Sequence, residues 1–176
     1  MKLDSQGWLS GVKRVLSPNY DARPPRTRIS LLVIHSISLP PNRYGGDAIV
    51  RFFTNTLDHS KHPYFEQIKG VKVSSHFLIR RDGQVLQFVA CNQRAWHAGV
   101  STWRGRSRCN DFSLGIELEG SDFEPYSERQ YVALGGLIRC LKRAYPISDI
   151  AGHSDIAPER KTDPGPFFDW ERLRRG

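Results

Sequence analysis

Short apolar runs separated by polar stretches rich in proline and glycine set out the elements of this chain. LLVIHSIS, residues 31–38, is apolar and β-branched enough for a buried strand. Pro40 and Pro41 behind it cannot donate to a ladder. GGDAIVRFFTNTLD, 45–58, places Val50, Phe53 and Leu57 on one helical stripe behind Asp47 as cap. VSSHFLIRRDGQVLQFVA, 73–90, has the pattern of a hairpin turning at Asp82-Gly83. In FSLGIELEG, 112–120, alternation puts Phe112, Leu114, Ile116 and Leu118 on one face and Gly115, Glu117 and Glu119 on the other.

SERQYVALGGLIRCLKRAYP, 127–146, is the clearest helix. Ser127 and Gln130 have the spacing of a capping box, Tyr131, Leu134, Ile138 and Leu141 form a stripe, and Pro146 stops it. A short strand near Ile150 and a short helix over 167–175 complete the pattern. Residues 1–29, with Pro18, Pro24 and Pro25, read as an irregular arm packing on the core, and 59–70 and 95–111 read as loops. Strands interleave with helices but include a hairpin. The expectation is a single α/β (α+β) domain over 1–176, a mixed sheet with helices on its faces.

Composition changes this picture little. A chain of 176 residues is long enough for one sizeable core, and 39% hydrophobic with 25% charged residues is ordinary for a globular protein. Asp4, Ser5, Gln6 and Gly7 stand where the apolar part of a signal peptide would lie, and no run is long enough for a membrane span. Cys91, Cys109 and Cys140 are odd in number and widely spaced, which argues against a disulfide framework or a Cys-x-x-Cys metal site. These features lead to an expectation of a cytoplasmic protein with no membrane association. The net charge of +8 makes nucleic acid a partner to consider. The basic residues are scattered in small groups, such as Arg80-Arg81, Arg104-Arg106-Arg108 and Arg172-Arg174-Arg175, without a polybasic tract. A diffuse positive field equally steers a small polyanionic substrate, so no nucleic acid is expected.

The chemistry-bearing residues begin with GHSDIAPERKTDPGP, 152–166, whose prolines and charges argue against a regular helix or strand. It is either a solvated loop or one wall of a site. His153 and Asp163 lie ten positions apart, and such a loop can fold back to bring both to one ion together with His35 from the strand. Six histidines allow many other combinations, and core or surface histidines are commoner than ligands. Glu117 stands in an otherwise apolar strand, so it must be paired or shifted in pKa. Beside a metal it can act as general base and then as acid; alternatively it and Glu119 pair with arginines. Lys161 can face a developing oxyanion or simply be solvated. His76 and His97 are inward candidates that also suit hydrogen-bonded wall positions. Trp96 and Trp103 can stack on a sugar face or sit in the core. His59 and His62 read as solvated.

LLVIHSISLPP, HPYFEQI, SSHFLIRRDGQVLQFV, RAWHAGVS, GRSRCNDFSLGIELEG and GHSDIAPERKTDPGPFFDW together resemble the cytoplasmic AmpD type of N-acetylmuramoyl-L-alanine amidase, over nearly the whole chain. The wider family includes phage amidases and peptidoglycan-recognition proteins. The resemblance implies a mixed sheet with a zinc site in a cleft at its edge. It implies hydrolysis of the amide between the lactyl group of 1,6-anhydro-N-acetylmuramic acid and L-alanine, on anhydromuropeptides in cell-wall recycling, which limits AmpC β-lactamase induction. It assigns one zinc ion to His35, His153 and Asp163, the acid/base role to Glu117, and assistance at the oxyanion to Lys161. Arg108, Lys72 and Ala157 fall at substrate-contacting positions, as does Ser36, with His76, Trp96 and His97 as further cleft candidates. No obligate protein partner is implied. Two positions depart from the pattern. Ser36 replaces an Asn and offers a single shorter hydroxyl, and Lys72 replaces an Arg, keeping charge without the planar fork. The alternatives from other classes are a non-catalytic muropeptide-binding module and a basic nucleic-acid-binding protein.

Overall fold

The central strand of the molecule carries two kinds of side chain on its two faces, and the rest of the fold follows from that division. The computed structural model describes residues 1–174. Its strands are β1 (Lys13–Arg14), β2 (Tyr20–Ala22), β3 (Leu31–Ile37), β4 (Phe77–Ile79), β5 (Val85–Gln87), β6 (Gln93–Ala95), β7 (Thr102–Trp103), β8 (Arg106–Ser107), β9 (Ser113–Glu119) and β10 (Asp149–Gly152). Its helices are α1 (Ala48–Phe53), α2 (Pro63–Gln67), α3 (Glu128–Ala144), α4 (His153–Ile156) and α5 (Glu171–Arg174). Six strands form one mixed sheet in the order β1-β5-β4-β9-β3-β10. The pairs β3–β9, β4–β9, β10–β3 and β1–β5 are parallel, and β4–β5 is the expected antiparallel hairpin.

On one face Leu114, Ile116 and Leu118 of β9 and Leu32 and Ile34 of β3 pack against Leu134, Leu137, Ile138 and Leu141 of α3. That helix starts as its sequence predicts. Ser127 Oγ accepts from the Gln130 N–H at 3.2 Å, and Gln130 Oε1 accepts from the Ser127 N–H at 3.0 Å. On the other face Leu31 and Val33 pack with Ala98, Cys109, Phe112, Ala151 and Ile156. His35 and Glu117 share this second face. A third cluster joins α1 and α2 to Leu78, Leu86 and Phe88. Phe112 belongs with Leu31 rather than with Leu114, because it precedes the strand at the end of a 3-10 turn and does not follow the strand's alternation.

Other elements differ from the sequence pattern for local reasons. The first helix is shorter than 45–58, and Asp47 does not cap it; its carboxylate instead takes the Arg51 Nε–H at 2.6 Å. The segment 59–70 contains α2, started by Pro63 with His62 Nδ1 accepting from the Tyr64 N–H at 3.1 Å. His59 Nδ1 donates to the Phe65 carbonyl at 2.6 Å. Both histidines are therefore locally engaged. The arm over 1–29 is not wholly irregular, since β1 extends the sheet edge and β2 pairs with β6. The C-terminal helix is confined to Glu171–Arg174, since residues 167–170 of the expected 167–175 helix lie in turns and irregular backbone, and Arg175 lies outside the described residues.

Gly115 is the point where backbone must approach a ring. A Cβ placed there would lie 2.5 Å from Cγ of His97, a clash with a side chain held from several sides. Gly115→Ala should therefore lower unfolding stability by about 1–3 kcal/mol in urea titration, through overpacking. Leu134→Ala, at a fully buried position of α3, should cost about 2–5 kcal/mol in the same titration. Val132→Ala, on the exposed face of that helix, should stay within about 0.5 kcal/mol.

Candidate active site

Strand register sets the first two residues of the site. β3 and β9 run parallel with His35 directly opposite Glu117, so both side chains rise from neighbouring positions on one face. β10 runs parallel to β3 on its other side and ends at Gly152, which delivers His153. The segment after it turns once as α4, with the Asp155 carboxylate accepting from the Gly152 N–H at 2.7 Å. The 152–166 stretch therefore does contain a helical turn, placed before its first internal proline, where no backbone donor is lost.

That stretch folds back as its length allows. Asp163 returns to His153 through a set of tethers. The Tyr126 hydroxyl donates to the Pro164 carbonyl at 2.7 Å, and the Thr162 hydroxyl donates to the Asp122 carboxylate at 2.5 Å. Ser154 N–H donates to the Asp163 carbonyl at 2.9 Å. Arg160 donates to the carbonyls of Ala98 and Val100, each at 2.8 Å, and so binds this loop to the 97–100 loop.

The result is a triangle of ligand atoms. His35 Nδ1 is 3.0 Å from His153 Nδ1 and 3.2 Å from Asp163 Oδ2, and His153 Nδ1 is 3.1 Å from the same oxygen. Tetrahedral zinc with bonds of roughly 2.0–2.1 Å has ligand–ligand edges of roughly 3.3 Å, so the triangle has the size such an ion needs. The outer nitrogens are engaged as expected for ligands. His153 Nε2 donates to the Ala98 carbonyl at 3.2 Å, and His35 Nε2 lies 2.9 Å from His97 Nδ1.

The electrostatics suit a cation. Burial pushes His35 down to about 4, with the charges of His153 and Lys161 in the same direction and the Asp163 carboxylate opposing. Burial would raise Asp163, but hydrogen bonding from His153 and His35 and their charge hold it well below the usual carboxylate range. The two directions favour a neutral imidazole at His35 and an ionised carboxylate at Asp163, forms in which both can ligate a cation. Glu117 is displaced the other way. Burial, and then the Asp163 carboxylate, raise it well above the ordinary range, with Lys161 opposing. Its Oε2 has no hydrogen-bond partner. Glu119, by contrast, accepts from the Gly45 and Arg81 N–H groups at 2.7 and 3.2 Å and lies 3.8 Å from Arg80. The arginine-paired role thus belongs to Glu119 alone.

His35, Ser36, His97, Glu117, His153, Lys161 and Asp163 line one cleft of about 580 Å³. Its far wall is apolar, with Leu39, Phe52, Tyr64 and Val71 among its residues. The remaining candidates lie outside this lining. Arg108 is exposed, has φ of +62°, and pairs with Asp111 at 3.3 Å. Lys72 is exposed, Ala157 is buried at the end of α4, and Trp96 is half-buried. His76 is fully buried, its Nδ1 accepting from the Gly115 N–H at 3.0 Å and its Nε2 facing the Gln93 carbonyl at 3.1 Å.

One contributor to the site's support leaves no signal in the sequence. Arg23, from the N-terminal arm, reaches under the site and donates to the carbonyls of Cys91, Asn110, Asp111 and Ser113 at 2.8–3.2 Å. Burial lowers this guanidinium to about 10. Nothing in a proline-rich arm singles out one arginine among many.

Residues 25–166 match the family described as N-acetylmuramoyl-L-alanine amidase. The chain is 54% identical over 171 residues to the 1,6-anhydro-N-acetylmuramyl-L-alanine amidase AmpD of Escherichia coli K12, covering 96% of this chain and 93% of that protein. A crystal structure of a selenomethionine AmpD derivative superposes with a TM-score of 0.97 at 54% identity, covering 99% and 98% of the two chains. The E. coli amidase AmiD, in complex with anhydro-N-acetylmuramic acid-L-Ala-D-γ-Glu-L-Lys, superposes with a TM-score of 0.63 at 32% identity, over 88% of this chain and 58% of that one. With the ligand triangle and its neighbouring carboxyl in place, these matches establish that the chain belongs to the N-acetylmuramoyl-L-alanine amidase family.

Proposed function

We propose that the protein is a zinc-dependent amidase that cleaves the amide between the lactyl group of 1,6-anhydro-N-acetylmuramic acid and the L-alanine of its stem peptide. The observation that carries this reading is the triangle of His35, His153 and Asp163 atoms beside the unpartnered Oε2 of Glu117. The names of the relatives supply the substrate class, and the AmiD complex supports a peptide-bearing anhydrosugar as ligand of this fold. The filled ligand set and the buried acid stand against a binding-only module.

His35, His153 and Asp163 would hold the ion. When bound, zinc polarises a carbonyl and lowers the pKa of water toward ~7. Glu117 takes a proton from the attacking water, and its burial raises its affinity for that proton. It then delivers the proton to the leaving L-alanine nitrogen. Lys161, from the wall of the same cleft, stabilises the oxyanion developing on the lactyl carbonyl. Ser36 offers one hydroxyl at the cleft floor. Arg108 and Lys72 are the proposed rim contacts, with Arg108 directed to the anhydrosugar and Lys72 a point charge for a stem-peptide carboxylate, and Ala157 is a further proposed substrate position although its side chain is buried. Trp96 is a further candidate for the sugar face. A strongly basic protein suits a substrate with several carboxylates, and no nucleic acid or obligate protein partner is required. No helix among the described residues is long and apolar enough to cross a membrane, and the proposed location is the cytoplasm.

Incubation with anhydromuramyl-tripeptide, followed by mass spectrometry, should show free tripeptide and anhydro-N-acetylmuramic acid. The products should vanish with a chelator and return with zinc; turnover unaffected by chelation would refute the metal's role. Asp163→Ala should lose bound zinc by elemental analysis. Glu117→Ala should keep zinc yet lose about 10²–10⁴-fold in kcat, the range of general acid–base catalysis; near-normal turnover would exclude the assigned role.

A further inference from the structure

His97 lines the cleft, yet both of its ring nitrogens are already committed to protein. We infer that His97 is a positioning residue rather than a substrate contact, fixing His35 in the tautomer that turns a bare Nδ1 toward the ligand triangle. This inference rests on the metal-centre reading above.

The chain of hydrogen bonds starts at a group that cannot change its role. The Cys109 carbonyl only accepts, so the hydroxyl of Ser113, 2.6 Å away, must spend its hydrogen there. Toward His97 Nε2, at 3.2 Å, Ser113 Oγ can then only accept, and Nε2 must carry the ring proton. A neutral ring protonated on Nε2 has a bare Nδ1. That Nδ1 lies 2.9 Å from His35 Nε2 and accepts from it. His35 is thereby protonated on Nε2, and its own Nδ1 is left bare, 3.0 and 3.2 Å from His153 Nδ1 and Asp163 Oδ2. One backbone carbonyl thus dictates the tautomer of a ligand through two intervening side chains.

The ring that transmits this polarity has little room to move. Its face lies against Gly115, where no Cβ intervenes. His76 packs edge-on with ring centroids 5.8 Å apart, and His35 does the same at 5.0 Å. The Asn110 side-chain carbonyl accepts from the backbone N–H groups of His97 and Ala98 at 3.1 and 2.8 Å. The next residue completes the arrangement, since the Ala98 carbonyl accepts from His153 Nε2. Two consecutive residues therefore orient both ligand imidazoles, one with its side chain and the other with its backbone.

The test combines zinc affinity, steady-state kinetics and tautomer assignment by long-range ¹H–¹⁵N correlation NMR. His97→Phe keeps a ring against Gly115 but removes both nitrogens. It should weaken zinc binding about 10–100-fold in chelator competition, the usual range for loss of a ligand's outer partner. For the zinc-loaded variant, KM for anhydromuramyl-tripeptide should be unchanged. His97→Asn, which restores an acceptor near the Nδ1 position, should recover most of the zinc affinity. In the unaltered zinc-loaded protein the spectrum should show His97 protonated on Nε2 alone, a result that needs no variant to fold. Protonation of His97 on Nδ1 overturns the inference. So does His97→Phe with intact zinc affinity and a raised KM, the signature of a substrate contact. Absence of zinc binding by the unaltered protein overturns the metal-centre reading, and this inference with it.

Discussion

Three electron-rich atoms, two imidazole nitrogens and a carboxylate oxygen, lie within 3.2 Å of one another in a largely dry part of the molecule. Electron-rich atoms at such spacing repel unless a proton or a cation lies among them, and burial strengthens that repulsion. The arrangement persists because the surrounding chain prevents every alternative. His35 cannot turn away, because its outer nitrogen is held by His97. His153 is held by the Ala98 carbonyl. Asp163 is brought in by a loop fastened at Asp122, Tyr126 and Arg160. The fold thus holds three donor atoms at the spacing that a divalent cation needs.

The support beneath this triangle comes from parts of the chain distant in sequence. Arg23 donates to four backbone carbonyls and in doing so anchors the N-terminal arm to the start of β9. His76 lies between that guanidinium and the Gly115 N–H. Arm, hairpin and central strand therefore form layers under the site, and α3 seals the opposite face of the sheet with an unbroken apolar stripe.

Much of this was legible in the sequence where a periodic signal was long enough. β3, β9 and α3 carry seven to seventeen residues of regular pattern, and the Ser127–Gln130 capping box marks the start of α3. The alternation of β9 correctly separated Glu117 from its apolar neighbours. The short elements were not legible. β1 and β2 are held by backbone pairing that leaves little trace in side-chain pattern, α4 is one turn, and α2 relies on a histidine cap before proline. The site divides in the same way. Glu117 could be placed by strand period, and His35 by its position late in an apolar strand. The approach of Asp163 to His153 could not, because it depends on tethers from Asp122 and Tyr126, some forty residues away. The rank of His97 above the other histidines depends on a glycine in a neighbouring strand, and no one-dimensional pattern records that contact.

The pairing of His35 with Glu117 across two parallel strands has a consequence for how such a protein can diversify. Their separation is set by the spacing of adjacent strands, about 4.7–4.9 Å, and by a register in which seven consecutive residues match. Insertions in the loops around the cleft leave that spacing untouched. A slip of one residue in either strand would instead bring Ile116 or Leu118 to the place of the acid and turn an apolar stripe to solvent. The sheet therefore acts as a ruler between the imidazole of His35 and the carboxyl of Glu117, while the loops above it are free to lengthen.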